Sequence, residues 1–179
     1  MIRTRKAKLE DAPRIAGLWH EMAKFHARRD PYWEVSRGCR KGYTTYISKV
    51  ITEGCGGVFV AHDGGEIIGF VMATGASRAP CYARQDVGLI LDLAVTKECR
   101  RKGVGERLCD QALGWLAERG FRNAEVRVAT ANPLAAGFWR KMGFEPRITI
   151  AEKHLDSTKL SPRRSGGRKD ARRKPPKPS

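Results

Sequence analysis

Apolar residues recur along the chain in two rhythms, helical in the first third and strand-like after it. Ile15, Leu18, Trp19, Met22 and Phe25 stand three or four apart and predict an amphipathic helix. Asp11 offers an N-cap ahead of it, and Pro13 is tolerated in a first turn. The run Asp30-Pro31-Tyr32-Trp33 breaks this helix. A second, over residues 36–53, sets Tyr43, Tyr46, Ile47, Val50 and Ile51 on one side, with Gly54 as its stop. Residues 2–7 predict a short strand before both. The period then changes. Residues 57–62 and 66–73 read as strands joined by Asp63-Gly64-Gly65, a strong hairpin signal. A loop over residues 75–86, containing Pro80, leads to the apolar run Val87-Gly88-Leu89-Ile90-Leu91-Asp92-Leu93-Ala94-Val95, which predicts a buried strand. A helix over residues 106–119, a strand over 121–128, a short helix from Asn132-Pro133 to Met142 and a strand over 143–150 complete the pattern. The order β-α-α-β-β-β-α-β-α-β predicts an α/β (α+β) domain, a mixed sheet with helices on its faces.

Length supports one domain with a real core: 179 residues, 41% of them hydrophobic. Residues 161–179 hold no Leu, Ile, Val or aromatic side chain. Their eight Lys and Arg against Asp170 carry +7 of the formal +16. Such a segment cannot bury enough surface to offset its ordering entropy, so residues 1–158 are expected to form the domain and residues 159–179 a basic, disordered tail. The charge attracts anions of many kinds, nucleotide cofactors and nucleic acid included, and selects none of them. The five cysteines form no CxxC pair and no zinc-ligand spacing, so no metal is expected. With no secretory pattern and no apolar run approaching the roughly 20 residues of a membrane span, a soluble cytoplasmic protein is expected.

The chemistry concentrates after the buried strand. Arg100-Arg101-Lys102-Gly103-Val104-Gly105 is a basic turn opening a helix. Glycines permit tight backbone approach, and the helix start presents unpaired N–H groups and a positive dipole end. This combination predicts a phosphate or pyrophosphate site. Leu108 occupies the third-glycine position of GxGxxG, and three strands and two helices precede the motif, which argues against a dinucleotide fold. GxxxxGK[ST] is absent, so P-loop chemistry is excluded.

Three segments together resemble the GNAT superfamily of N-acetyltransferases, over residues 2–150. The first is Leu91-Asp92-Leu93-Ala94-Val95 with Arg100-Arg101-Lys102-Gly103-Val104-Gly105, similar to the family's acetyl-CoA motif. The second is Asn132-Pro133-Leu134-Ala135-Ala136-Gly137-Phe138-Trp139-Arg140-Lys141-Met142-Gly143-Phe144, similar to its N-x-x-A-x-x-F-Y-x-x-x-G-F signature. The third is the opening strand leading to Leu9-Glu10-Asp11. The resemblance implies a mostly antiparallel central sheet and acetyl-CoA as acetyl donor. It implies that backbone N–H groups of Arg101, Lys102, Gly103, Val104 and Gly105, with the cation Arg100 beside them, cradle the pyrophosphate. Backbone groups of Leu93, Ala94 and Val95 would pair with the pantetheine arm like an added strand, one N–H polarising the thioester carbonyl. Asn132 would contact the cofactor, a role compatible with capping the helix at Pro133.

Acetyl transfer to an amine needs a base, because an ammonium has no lone pair. Asp92 is the candidate: a carboxylate within a run of Leu, Ile and Val is costly to bury and should face a polar cleft. The plainer reading is that it binds a backbone amide where the strand bulges. Glu34 and His26 are alternatives. Trp139 stands where many family members place a tyrosine that protonates the departing thiolate. Indole is a donor but no acid, and with Phe138 and Met142 it fits a helical core face, so no general acid is assigned. Tyr32, Trp33, Tyr43 and Tyr46 fall where the family builds its acceptor pocket, although aromatics on amphipathic helices usually pack. Neither Cys99 nor Cys109 has a nearby His partner, so the expected route is direct attack by a primary amine in a ternary complex. The acceptor is expected to be a small-molecule or peptide amine, with non-specific nucleic-acid contact through the tail and a homodimer left open. The competing expectation is a non-catalytic module that senses acetyl-CoA or docks on nucleic acid.

Overall fold

The computed structural model describes residues 1–83 and 85–153. Nine elements follow one another: β1 (Arg3–Lys6), α1 (Ala12–Ala27), α2 (Cys39–Glu53), β2 (Gly57–Asp63), β3 (Glu66–Ser77), β4 (Asp86–Val95), α3 (Val104–Glu118), β5 (Ala124–Val126) and α4 (Pro133–Lys141). Short 3₁₀ turns at Leu9–Asp11, Pro31–Trp33 and Lys97–Cys99 join them. The strands form one sheet in the order β1-β2-β3-β4-β5. The first four pair antiparallel, and β5 runs parallel to β4. This is the expected mixed, mostly antiparallel sheet.

Alternation along the central strands divides the core into two layers. Val58, Val60, Phe70 and Met72 point to one face, where Ile15 and Leu18 of α1 and Ile47 and Val50 of α2 cover them. Phe59, Ala61, Val71, Ala73 and Ile90 point to the other, against Leu108, Ala112 and Leu116 of α3 and Trp139 of α4. Each strand residue thus contributes to one layer only, as a period of two requires.

All these elements lie in the unit Met1–Glu145; a second unit comprises Pro146–Ser179. The expected strand over residues 143–150 does not form. Pro146 lacks a ladder donor, and Ile148 and Ile150 stay exposed despite their alternating spacing. The basic tail lies outside the described residues. Other boundaries shift. Helix α2 starts at Cys39 rather than residue 36, because Gly38 adopts a left-handed conformation (φ 76°). Strand β3 runs on to Ser77, shortening the expected loop, and β5 contracts to three residues. Asp11 does not cap α1 with its side chain. Its carboxylate takes two hydrogen bonds from Arg5, at 2.6 and 3.0 Å, and one from the Lys8 backbone N–H at 2.7 Å.

Candidate active site

Strand β4 is irregular where the chemistry is expected. Met72 pairs with Asp92 and Ala73 with Ile90, so Leu91 is an extra residue on β4. Such bulges re-aim neighbouring side chains. Asp92 shares a face with Met72, the face covered by α1 and α2. There its Oδ2 accepts a hydrogen bond from the Tyr43 hydroxyl at 2.9 Å, and the Trp19 indole N–H donates to the same carboxylate. Tyr43 and Trp19 stack on each other with centroids 4.3 Å apart and planes within 10°. Both helices therefore lock Asp92. Burial pushes its carboxyl above the usual carboxylate range, with the Tyr43 and Trp19 hydrogen bonds pulling back. Burial, with Asp92 beside it, raises the Tyr43 phenol far above its ordinary value. The bulge anticipated by the plainer reading is present, but Asp92 meets side-chain donors rather than a backbone amide.

The other edge of β4 is open. β5 accompanies it only through Gly88, Leu89 and Ile90. Residues 91–95 have no strand on that side among the described residues, and this stretch leads directly into the basic turn. There Arg101 takes φ +60°, the one positive value found outside glycine among the described residues, and Gly103 takes +76° at the N-cap of α3. A side chain costs about 1–2 kcal/mol in that region. No side chain caps α3, leaving its first N–H groups free. A Cβ on Gly103 would meet nothing within 4 Å, whereas one on Gly105 would press on the Phe138 ring at 3.2 Å. The first glycine thus keeps the turn's outer surface clear, and the second lets α4 pack against α3. Arg101 and Lys102 are exposed. Arg100 braces the turn, its Nε donating to the Val95 carbonyl at 3.1 Å. Glu106, in the first turn of α3, is paired with Lys141 at 2.6 Å.

Asn132 caps α4, its Oδ1 accepting from the Ala135 N–H at 3.1 Å, and its Nδ2 lies 3.2 Å from His26 Nε2. Trp139 is buried among Phe138, Phe144 and the α3 layer, a packing role as its spacing suggested. Cys109 is fully buried and burial, with Asp110 nearby, pushes its thiol up to about 12, which rules it out as a nucleophile. Of the four candidate pocket aromatics, Tyr43 is buried against Asp92, Trp33 packs on His26, and Tyr32 and Tyr46 are exposed. Among the described residues, the Glu34 carboxylate makes no hydrogen bond or ion pair with Asp92, Tyr43 or His26. Among the described residues no group of His, Cys, Asp and Glu is arranged to hold a metal ion, and no helix is long and apolar enough to cross a membrane. Trp19 was legible only as a core residue of α1. Its bond to Asp92 spans elements far apart in sequence, and no local spacing signals it.

Sequence and fold comparisons agree with this geometry. Residues 19–144 match the acetyltransferase (GNAT) family. An uncharacterized N-acetyltransferase of Archaeoglobus fulgidus is 32% identical over 100 residues, 56% of this chain and 67% of that protein. One from Methanocaldococcus jannaschii is 27% identical over 121 residues, 68% of this chain but about half (52%) of that protein. The crystal structure of a predicted acetyltransferase with acetyl-CoA from Clostridium acetobutylicum superposes with a TM-score of 0.73 at 17% identity, over 87% of this chain and 97% of that one. The family match and the shared fold both span most of the chain. The chain belongs to the acetyltransferase (GNAT) family.

Proposed function

We propose that this chain is a cytoplasmic N-acetyltransferase that moves an acetyl group from acetyl-CoA to a primary amine by direct attack in a ternary complex. The acceptor is a small amine, an amino-acid derivative or a protein amino group. The observation that carries this reading is the open stretch of β4, which has the Asp92 cluster on one face and ends at the cleared, basic turn of α3. When bound, acetyl-CoA supplies a thioester whose carbonyl carbon is the electrophile.

The chain's own residues supply the rest. Arg100 and the backbone of Arg101, Lys102, Gly103, Val104 and Gly105 hold the pyrophosphate. Leu93, Ala94 and Val95 offer backbone partners to the pantetheine arm, and one of their N–H groups polarises the thioester carbonyl. Asn132 contacts the donor from α4. Asp92 takes the proton of the incoming ammonium, whose ordinary pKa is about 10, and its raised carboxyl narrows that gap. Trp139, packed in the core, protonates nothing, and water serves the leaving thiolate.

A thiol-release screen against amines, amino acids and peptide N-termini tests the reading, with release expected for at least one class. Calorimetry showing no acetyl-CoA binding would defeat it. Binding without release from any acceptor would favour a non-catalytic sensor.

Two variants probe the parts. Gly103→Ala places a Cβ on the turn's outer surface and in a left-handed conformation. We expect it to lose about 1–2 kcal/mol of stability to denaturant and to bind acetyl-CoA more weakly, while Asp92 keeps its surroundings. Tyr43→Phe deletes a donor to the ionised Asp92. We expect kcat/KM to fall roughly 3- to 10-fold. Because that bond favours the charged form, its loss raises the Asp92 pKa, so the acid limb of the pH profile moves to higher pH.

A further inference from the structure

His26 and Asn132 come from opposite sides of the sheet. α1, which carries His26, packs with α2 on one face; α4, which Asn132 caps, packs with α3 on the other. Their side chains nevertheless meet, at 3.2 Å, and β5, the strand that could have filled the gap beside the end of β4, has stopped six residues before Asn132. This contact ties the layer holding Asp92 to the segment proposed to meet the donor.

The chemistry of the contact has one solution. The Ala135 N–H can donate only to the amide oxygen, which fixes Asn132 with Oδ1 toward its own helix. The nitrogen Nδ2 is therefore the group facing His26, and it is a donor with no lone pair to offer. His26 Nε2 must accept, so the ring is neutral and carries its proton on Nδ1. A proton on Nε2 would set two donors against each other. Burial, with Arg29 adding to it, lowers the His26 pKa below its ordinary 6.5, in the same direction. Among the described residues, no carboxylate partners the ring. Its own helix brings Phe25, and Arg29, just past the end of that helix, lays its guanidinium over Phe25. The Pro31–Trp33 turn brings the Trp33 ring, while the Asp30 carboxylate is engaged by the Tyr32 N–H. α4 brings the neutral Asn132 amide.

We propose that His26 is a positioning residue for Asn132. As a neutral acceptor it holds the amide in the orientation that meets acetyl-CoA, so that donor affinity depends on a side chain of the acceptor-side helix and weakens when that side chain is protonated. The inference rests on the proposed donor contact of Asn132. Its direction follows from the contact: affinity is full above the His26 pKa and declines as pH falls through it.

Calorimetric titration with acetyl-CoA at about pH 8 and at an acid pH, about 5 or below, at which the His26 ring NMR signals show it protonated, tests this in wild type, His26→Gln and His26→Phe. Gln offers an oxygen acceptor that does not titrate; Phe offers none. At the higher pH, His26→Phe should bind roughly 3- to 10-fold more weakly than wild type and His26→Gln about as well, the worth of one hydrogen bond. At the lower pH, wild type should weaken by a similar factor relative to His26→Gln. The ligand's own phosphate, with a second pKa of about 6, titrates alike with every protein and cancels in that ratio. Should His26→Phe fail to fold, the wild-type to His26→Gln ratio at the two pH values still decides. Equal binding by folded His26→Phe and wild type, or an unchanged wild-type to His26→Gln ratio between the two pH values, would overturn the proposal. Absence of acetyl-CoA binding by wild type at both pH values would instead remove the donor reading itself.

Discussion

Asp92→Asn is expected to lower turnover roughly 10²- to 10⁴-fold, the usual contribution of a positioned general base, while leaving acetyl-CoA affinity unchanged. The substitution is nearly isosteric. The amide oxygen can still accept from the Tyr43 hydroxyl, and the stacked Trp19–Tyr43 pair needs no rearrangement. What disappears is a site for the acceptor's proton. The pH profile gives an independent readout. A carboxyl raised by burial above its ordinary 3.8 is ionised only once pH exceeds that raised value, so wild-type kcat/KM should climb with pH through an acid limb lying above the ordinary carboxylate range. The same limb should be absent from the Asn variant. Steady-state kinetics with the acceptor found by thiol release, together with donor calorimetry, separates the outcomes. An unchanged rate would retire Asp92 as the base. Loss of donor binding would show that the substitution had disturbed β4 rather than the proton transfer.

Much of this was legible along the chain because the signals are local. Helical spacing from Ile15 to Phe25, the Asp63-Gly64-Gly65 turn and the apolar run ending at Val95 each report on a few consecutive residues, and each formed the expected element. The basic turn was legible for the same reason: a left-handed Gly103 opening α3 is a property of its own backbone. The partners of the site residues were not legible. Tyr43 and Asp92 are 49 positions apart, and His26 and Asn132 are 106 apart. The packing of α2 against the face of β4 that carries Asp92 brings the first pair together, and the second meets across the sheet, where α4 starts beyond the end of β5. The strand expected over residues 143–150 failed in the opposite sense. Its alternation was locally correct, but a strand exists only where a partner ladder accepts it, and Pro146 had already removed one donor.

Asp11 shows how a correct local signal can have another cause, and it carries the largest stability effect expected here. Its position before α1 suggests an N-cap, yet the carboxylate instead binds Arg5 through both guanidinium nitrogens and takes the Lys8 N–H, with Asp11 only 5% exposed. The bidentate pair ties β1 to the start of α1 with the strongest geometry available to such groups. Removing one partner of a buried pair leaves the other uncompensated. Arg5 retains some access to water, which softens the loss, so Asp11→Ala should cost about 2–3 kcal/mol of unfolding free energy. Acid should reproduce part of this in wild type. The Arg5 hydrogen bonds, aided by the Lys8 N–H against an opposing burial effect, hold the Asp11 carboxyl below its ordinary 3.8. A carboxyl with a depressed folded pKa stabilises fully above its unfolded value and loses that contribution as pH falls through the folded one. Asp11→Asn keeps the shape without the titration. In denaturant unfolding followed by circular dichroism, the stability gap between wild type and Asp11→Asn should be constant near neutrality and narrow only below about pH 4. A gap that persists undiminished at the acid end would mean that Asp11 acts through its shape, not its charge.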